Sequence, residues 1–229
     1  LTSGVDLDGD VRRADPGRWL ASRFISDAGR RADVIGLYAL DHELARAETA
    51  ATNPLAAEIR LVWWLETIAE IFAGQPPRRH PTAEALAGVI VAHDLPEANF
   101  EAMIEARIDG IGRQALTAAE AVAWAGATEG RLAGIAATVL GAGNLAKWAE
   151  PAGKVWGLVL LRRARRTSGV EREIRETLEE ARAAARRLPT LAFPAALAAT
   201  LARADLRTPC PSDLEMRFRL AFAALSGAL

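Results

Sequence analysis

Acidic residues spaced to share one helix face are the residues of this chain best placed to do chemistry. Glu101, Glu105 and Asp109 stand at i, i+4 and i+8, and Asp41 and Glu48 stand seven apart. Such spacing puts carboxylates on one side of a helix, where hard divalent cations such as Mg²⁺ are held by oxygen ligands. A solvated helix edge explains both stripes more simply, and the spacing favours it. The run Arg162, Arg163, Arg165 and Arg166 offers the opposite charge. It fits a solvated helix end that complements the macrodipole, a grip on an anionic head group or diphosphate without a metal, or contact with an anionic membrane surface. Asp6, Asp8 and Asp10 invite a calcium loop. They fail it, because Val11 and Gly17 stand where that loop needs Gly and Glu.

His42, His80 and His93 are scattered, and Cys210 is the one cysteine, so no Cys-His metal cluster is spelled out. Cys210 lies between Pro209 and Pro211 and cannot close an internal disulfide. A small, partly buried thiol ahead of a helix is the expectation for it. A lone imidazole such as His42 is usually just a polar residue.

The elements that would position these groups are helical throughout. Apolar residues recur at three- and four-residue spacing, and runs of alternating β-branched residues are nearly absent. Asn53-Pro54 reads as a helix cap followed by a first-turn proline. Capping-box patterns stand at Thr117/Glu120, Ser168/Glu171 and Ser212/Glu215. Breaks at 74–81, Leu95-Pro96, 141–144, Leu188-Pro189 and 208–212 separate the helices. The predicted spans are 16–25, 28–51, 54–73, 82–93, 97–109, 117–126, 128–140, 145–166, 170–187, 194–204 and 212–227. The fold class is therefore all-α: a single-domain bundle of about ten helices over 15–229, preceded by a disordered acidic tail over 1–14.

Composition narrows the partners. The chain has 229 residues, 51% of them hydrophobic, and a net charge of −1. That balance gives no electrostatic pull on nucleic acid. The 26 arginines against 2 lysines fit genome composition better than a function. No apolar run is long enough to span a membrane, and residues 1–14 lack the apolar stretch of a secretory signal. The expected location is the cytoplasm, with peripheral contact at the inner membrane left open.

Several segments, in order, resemble the squalene/phytoene synthase family. Asp15-Pro16-Gly17-Arg18-Trp19-Leu20 looks like the family's opening "DPxRyl" element, and Leu37-Tyr38-Ala39-Leu40 like its "LYAF" helix. Glu58-Ile59-Arg60-Leu61-Val62-Trp63-Trp64 resembles "EIRLqWW" and is the most specific match. Arg107-Ile108-Asp109 falls where the family has an Arg and Asp pattern. The helix from Gly153 to Arg163 and the Pro-punctuated tail over 180–206 are also similar.

The resemblance implies an isoprenoid-synthase-like bundle with Tyr38, Glu58, Arg60, Trp63, Arg107 and Asp109 as candidate pocket residues. Arg162, Arg163 and Arg166 are the candidate anion-binding residues. Active members condense allylic diphosphates with Mg²⁺ held by two Asp-rich motifs. Counted from Tyr38, the first motif falls on Ala45, Arg46 and Thr49, and the second falls near Ala164 and Ser168. None of the aspartates is present, and arginines stand beside both positions. The expectation is no catalytic residue, no metal ligand and no cofactor. The family branch that lacks these aspartates includes a mitochondrial respiratory complex I assembly factor. That implies a binding or assembly factor with a protein partner or a retained isoprenoid or lipid ligand. An active squalene- or phytoene-type synthase, using Mg²⁺ on other carboxylates, is the alternative. A helical interaction protein with a filled interior is the third reading.

Overall fold

The structure, a computed structural model, describes residues 6–49, 53–113, 115–207 and 211–229. Cys210 and residues 1–5 lie outside them. The described residues form one helical domain without strands. Twelve α-helices run in the order α1 (Leu7–Ala14), α2 (Pro16–Ser22), α3 (Ala28–Thr49), α4 (Pro54–Phe72), α5 (Pro81–His93), α6 (Glu97–Asp109), α7 (Ala118–Ala125), α8 (Arg131–Val139), α9 (Glu150–Arg163), α10 (Glu171–Ala185), α11 (Ala202–Arg207) and α12 (Asp213–Ser226). A π-helical turn, Gly126–Gly130, joins α7 to α8, and 3₁₀ turns fill 143–149, 190–195 and 197–201.

Local chemistry starts these helices where the sequence says it should. Asn53 accepts the Ala56 N–H at 2.8 Å, with Pro54 in the first turn. Thr117 and Glu120 close a reciprocal capping box, and Ser212 caps α12. Asp15 does two jobs. One oxygen accepts the Arg18 N–H at 2.9 Å and caps α2, and the other accepts the Trp156 indole N–H at 2.7 Å. Gly17 lets that indole close in, since a Cβ there would sit 2.8 Å from the ring.

Three expectations are corrected. The tail over 1–14 is helical from Leu7. Asp6 caps α1 by accepting the Gly9 N–H, and Val11 is buried in the core with Leu7 packed against it, so two apolar residues dock an otherwise acidic segment. Ser168 does not cap α10, whose N-cap is Val170 with no side-chain cap. Gly169 takes positive φ there, and Thr167 is held by a parallel bridge to Leu116. Finally, α9 stops at Arg163 instead of running to 166. The Arg166 N–H reaches back to Leu161 O and the Arg165 N–H to Arg162 O, with Arg165 at φ 57°. That is a Schellman cap with arginine in the left-handed position usually given to glycine, and it turns Arg166 inward.

Two apolar cores fill the domain. One joins α3, α4, α5, α6 and α8 around Leu40, Leu61, Phe100 and Leu132. The other joins α9, α10, α12 and the 197–201 turn around Trp156, Leu178, Leu197 and Leu220. Trp19 and Leu188 pack against both. The charged residues described next lie among helices of both cores.

Candidate functional site: a buried arginine–carboxylate cavity

Five segments bring charge into the interior. Arg18 comes from α2, Asp41 and Glu48 from α3, Arg107 from α6, Glu129 from the π-turn, and Arg166 from the segment after α9. Arg18 and Arg107 are 5% and 2% exposed, and Glu129 is 1% exposed. Arg18 donates to Asp41 at 2.8 Å and to Glu129. Arg107 donates to Asp41, to Glu129 at 3.0 Å and to Glu48 at 3.2 Å. Arg166 closes the chain on Glu48 at 2.5 Å. The guanidinium groups also lie over rings, Arg18 at 5.2 Å from Tyr38 and Arg107 at 5.1 Å from Trp124.

The electrostatics follow from burial and alternation. Burial works against the charge on Arg18 and Arg107, yet their carboxylate neighbours outweigh it and raise both above the ordinary value. Burial also works against ionised Asp41, but Arg107 and Arg18 hold its carboxyl below the ordinary range. At Glu129 the balance tips the other way. Burial, with repulsion from Asp41, exceeds the pull of Arg18 and Arg107 and raises the carboxyl. Burial pushes the Tyr38 phenol up to about 12. With Asp15 at 3.7 Å from Arg18, three guanidinium groups face four carboxylates.

Close packing places Glu129. A Cβ on Gly153 would stand 2.1 Å from the Glu129 carbonyl oxygen, and one on Gly157 would stand 2.7 Å from its Cγ. Two glycines of α9 thus let the π-turn lie against the helix, and π-turns inside helices recur at functional positions.

These groups line a cavity of about 220 Å³, together with Tyr38, His42, Ala45, Thr49, Trp124 and Ala164. Positions 45, 49 and 164, taken from both Asp-rich motifs, therefore face one space. The residues there do not suit Mg²⁺. Each cavity carboxylate already accepts a hydrogen bond, Asp41, Glu48 and Glu129 from guanidinium groups and Asp15 from the Trp156 indole and the Arg18 backbone. The buried cavity atoms without a partner are N–H donors, Arg107 Nε and Trp124 Nε1, which call for an acceptor and not a cation. Among the described residues no three His, Cys, Asp or Glu side chains are grouped to hold a metal ion.

The predicted site residues divide. Tyr38, Arg107 and Arg166 line the cavity. Glu58, Arg60 and Asp109 are exposed, outside it. Arg60 and Trp63 line a separate cleft of about 480 Å³ between α3 and α4, with Glu43, Arg46, Trp64 and His80. Trp64 is buried core, and Trp63 packs edge-on to it at 5.0 Å. Arg46 also faces that outer cleft, paired with Glu43 at 2.9 Å, so only Arg166 carries positive charge from the motif segments to the cavity. Arg162 and Arg163 both bind buried Asp205, at 3.2 and 2.6 Å, which removes the picture of a freely solvated basic end. The reading of Asp41 and Glu48 as a solvated edge is also corrected, because Asp41 is buried, Glu48 is half-buried, and both pair with arginines. Glu101 and Glu105 do stand on a solvent-facing edge.

Sequence reasoning missed Glu129 and passed over Arg18. Glu129 had one signal, a lone acid in the apolar, glycine-flanked stretch WAGATEGRLAGIA.

The fold has known counterparts. It superposes on a dehydrosqualene synthase crystallised in complex with ligand at TM-score 0.71 and 12% identity, covering 96% of this chain and 94% of that one. Squalene synthase HpnC from Alicyclobacillus acidocaldarius gives 0.60 and 18%, covering 97% and 96%. At such identities the likeness speaks for the fold. No curated protein sequence matches significantly. Residues 11–172, well over half of the chain, match the squalene/phytoene synthase family model, and the chain belongs to that family.

Proposed function

We propose that this protein is a non-catalytic member of its family, acting as a binding or assembly factor. Respiratory complex I is the target that the sequence resemblance suggests. The observation that carries this reading is the cavity at the two motif positions. Ionising an allylic diphosphate takes cations that stabilise the leaving group. Here Ala45, Thr49 and Ala164 offer no ligand, and the nearby carboxylates neutralise arginines. The cavity of about 220 Å³ also lies below the ~300–1,000 Å³ usual for ligand pockets. That supports action through the surface over carriage of an isoprenoid or lipid tail.

A second reading is favoured by one observation, the near-complete coverage of two synthases. It is a prenyl synthase that joins allylic diphosphates. Deleting the gene in its host separates the two. The assembly reading expects the amount of assembled complex I to fall while squalene- and phytoene-type hydrocarbons stay unchanged. Loss of those hydrocarbons with intact complex I would replace it with the synthase reading.

A further inference from the structure

Helix α12 is apolar on two opposite sides. Met216, Leu220 and Ala223 are buried in the second core. On the other side Leu214, Phe218, Phe222 and Leu225 are 77, 72, 67 and 89% exposed. Their spacing of four, four and three residues makes one continuous stripe. The stripe runs on into a groove walled by Phe24 and Leu225 and lined by Leu188 and Phe193. Large aromatic side chains offer roughly 150–250 Å² each, so the stripe presents on the order of 500–600 Å². That is at the upper end of the roughly 300–600 Å² of a monomer's largest patch, and such patches are often functional. With the groove it approaches the roughly 800 Å² per partner of a stable interface.

The charges beside the stripe select the occupant. Asp213, Glu215, Arg217 and Arg219 sum to zero and pair within the helix, at 2.7 Å for Arg217–Asp213 and 2.8 Å for Arg219–Glu215. A balanced rim gives no net attraction to an anionic bilayer, where interfacial helices carry surplus Lys or Arg. It is self-complementary instead. Glu215 and Arg219 lie on the same flank of the stripe. A two-fold axis through Phe218 that sets two copies antiparallel keeps that flank on the same side. It brings Glu215 of each copy alongside Arg219 of the other, Phe218 against Phe218, and Leu214 against Phe222. On the opposite flank the small side chain of Ala221 lets the helices approach. Isologous pairing of this kind is the commonest route to a dimer.

We propose that α12 forms the interface of a homodimer, packed antiparallel on its own copy about a two-fold axis at Phe218. Sedimentation equilibrium of the full chain tests it. The expected result is a dimer that Phe218→Ser weakens at least tenfold, while the helical circular-dichroism melt of the dilute, dissociated chain stays put, since Phe218 is 72% exposed. Arg219→Glu weakens the dimer, and the swap Glu215→Arg with Arg219→Glu restores it. In a Cys210→Ser background, Phe218→Cys links to itself readily under mild oxidation and Leu225→Cys does not. A chain that stays monomeric to about 100 µM, a weak limit for association, would overturn the proposal. So would a dimer indifferent to Phe218→Ser, or a monomer that sediments with anionic vesicles.

Discussion

The two sides of α3 carry the same chemistry in opposite surroundings. Outward, Arg46 pairs with Glu43 at the rim of the α3/α4 cleft, with the arginine side chain 60% exposed. Inward, Asp41 and Glu48 meet Arg18, Arg107 and Arg166, with no side chain of the network more than 20% exposed. An exposed pair gains little, because solvent screens it and two long side chains must be ordered. A buried pair is costly to assemble and much costlier to break, because removing one partner strands the other in a medium that cannot solvate it. The contrast teaches that in this fold an arginine–carboxylate pair is costly to lose only where it is surrounded. The inner network keeps anionic side chains inside the bundle without a cation from solution.

That contrast can be broken most severely at Arg107, which serves three carboxylates. Arg107→Ala is expected to cost about 3–5 kcal/mol in urea unfolding. A smaller effect is expected from Gly153→Ala. Its new methyl would meet the Glu129 carbonyl at 2.1 Å and the Ala133 Cβ at 2.7 Å, costing about 1–3 kcal/mol by overpacking.

Proton linkage sharpens the comparison further. Asp41 has a folded pKa below its ordinary 3.8. Its contribution is whole above that value and is lost as the pH falls through the folded one. Glu129 has a folded pKa above its ordinary 4.5. The folded state therefore holds a proton that the unfolded chain has released, and stability declines as pH rises from 4.5 to the folded value. Urea midpoints across pH 3–8 should show both slopes. Glu129→Gln should abolish the decline above pH 4.5 and leave the acid slope, whereas an unchanged profile would place the proton elsewhere. The smallest effect is expected outside: Arg46→Ala should move stability by no more than about 0.5 kcal/mol.

Much of the bundle was legible because it rests on short-range signals. Asn53-Pro54, the Thr117/Glu120 box and three- to four-residue apolar spacing each act within one or two turns. The failures were also local in cause. Asp6, Asp8 and Asp10 hid a helix that Val11 and Leu7 pin to the core. Ser168 read as a cap until the Leu116–Thr167 bridge took precedence. The site was less legible. The segment 58–64 is the most recognisable motif, yet Glu58 is exposed and Arg60 and Trp63 line an outer cleft. The cavity depends on pairs more than a hundred residues apart, Arg18 with Glu129 and Glu48 with Arg166, which no periodicity reveals. The positions of the absent aspartates could be counted, and three of them, 45, 49 and 164, face one cavity, while 46 faces the outer cleft and 168 is not in the cavity lining. What fills the charge balance there could not be counted.

The central claim is that this cavity holds a closed arginine–carboxylate network in place of a metal-binding surface. Its most direct test is incubation of the purified chain with farnesyl or geranylgeranyl diphosphate, with and without Mg²⁺, while released diphosphate is measured. The predicted result is release no faster than in the protein-free control and unchanged by Mg²⁺. Mg²⁺-dependent release that disappears in Asp41→Asn or Glu48→Gln would contradict the account.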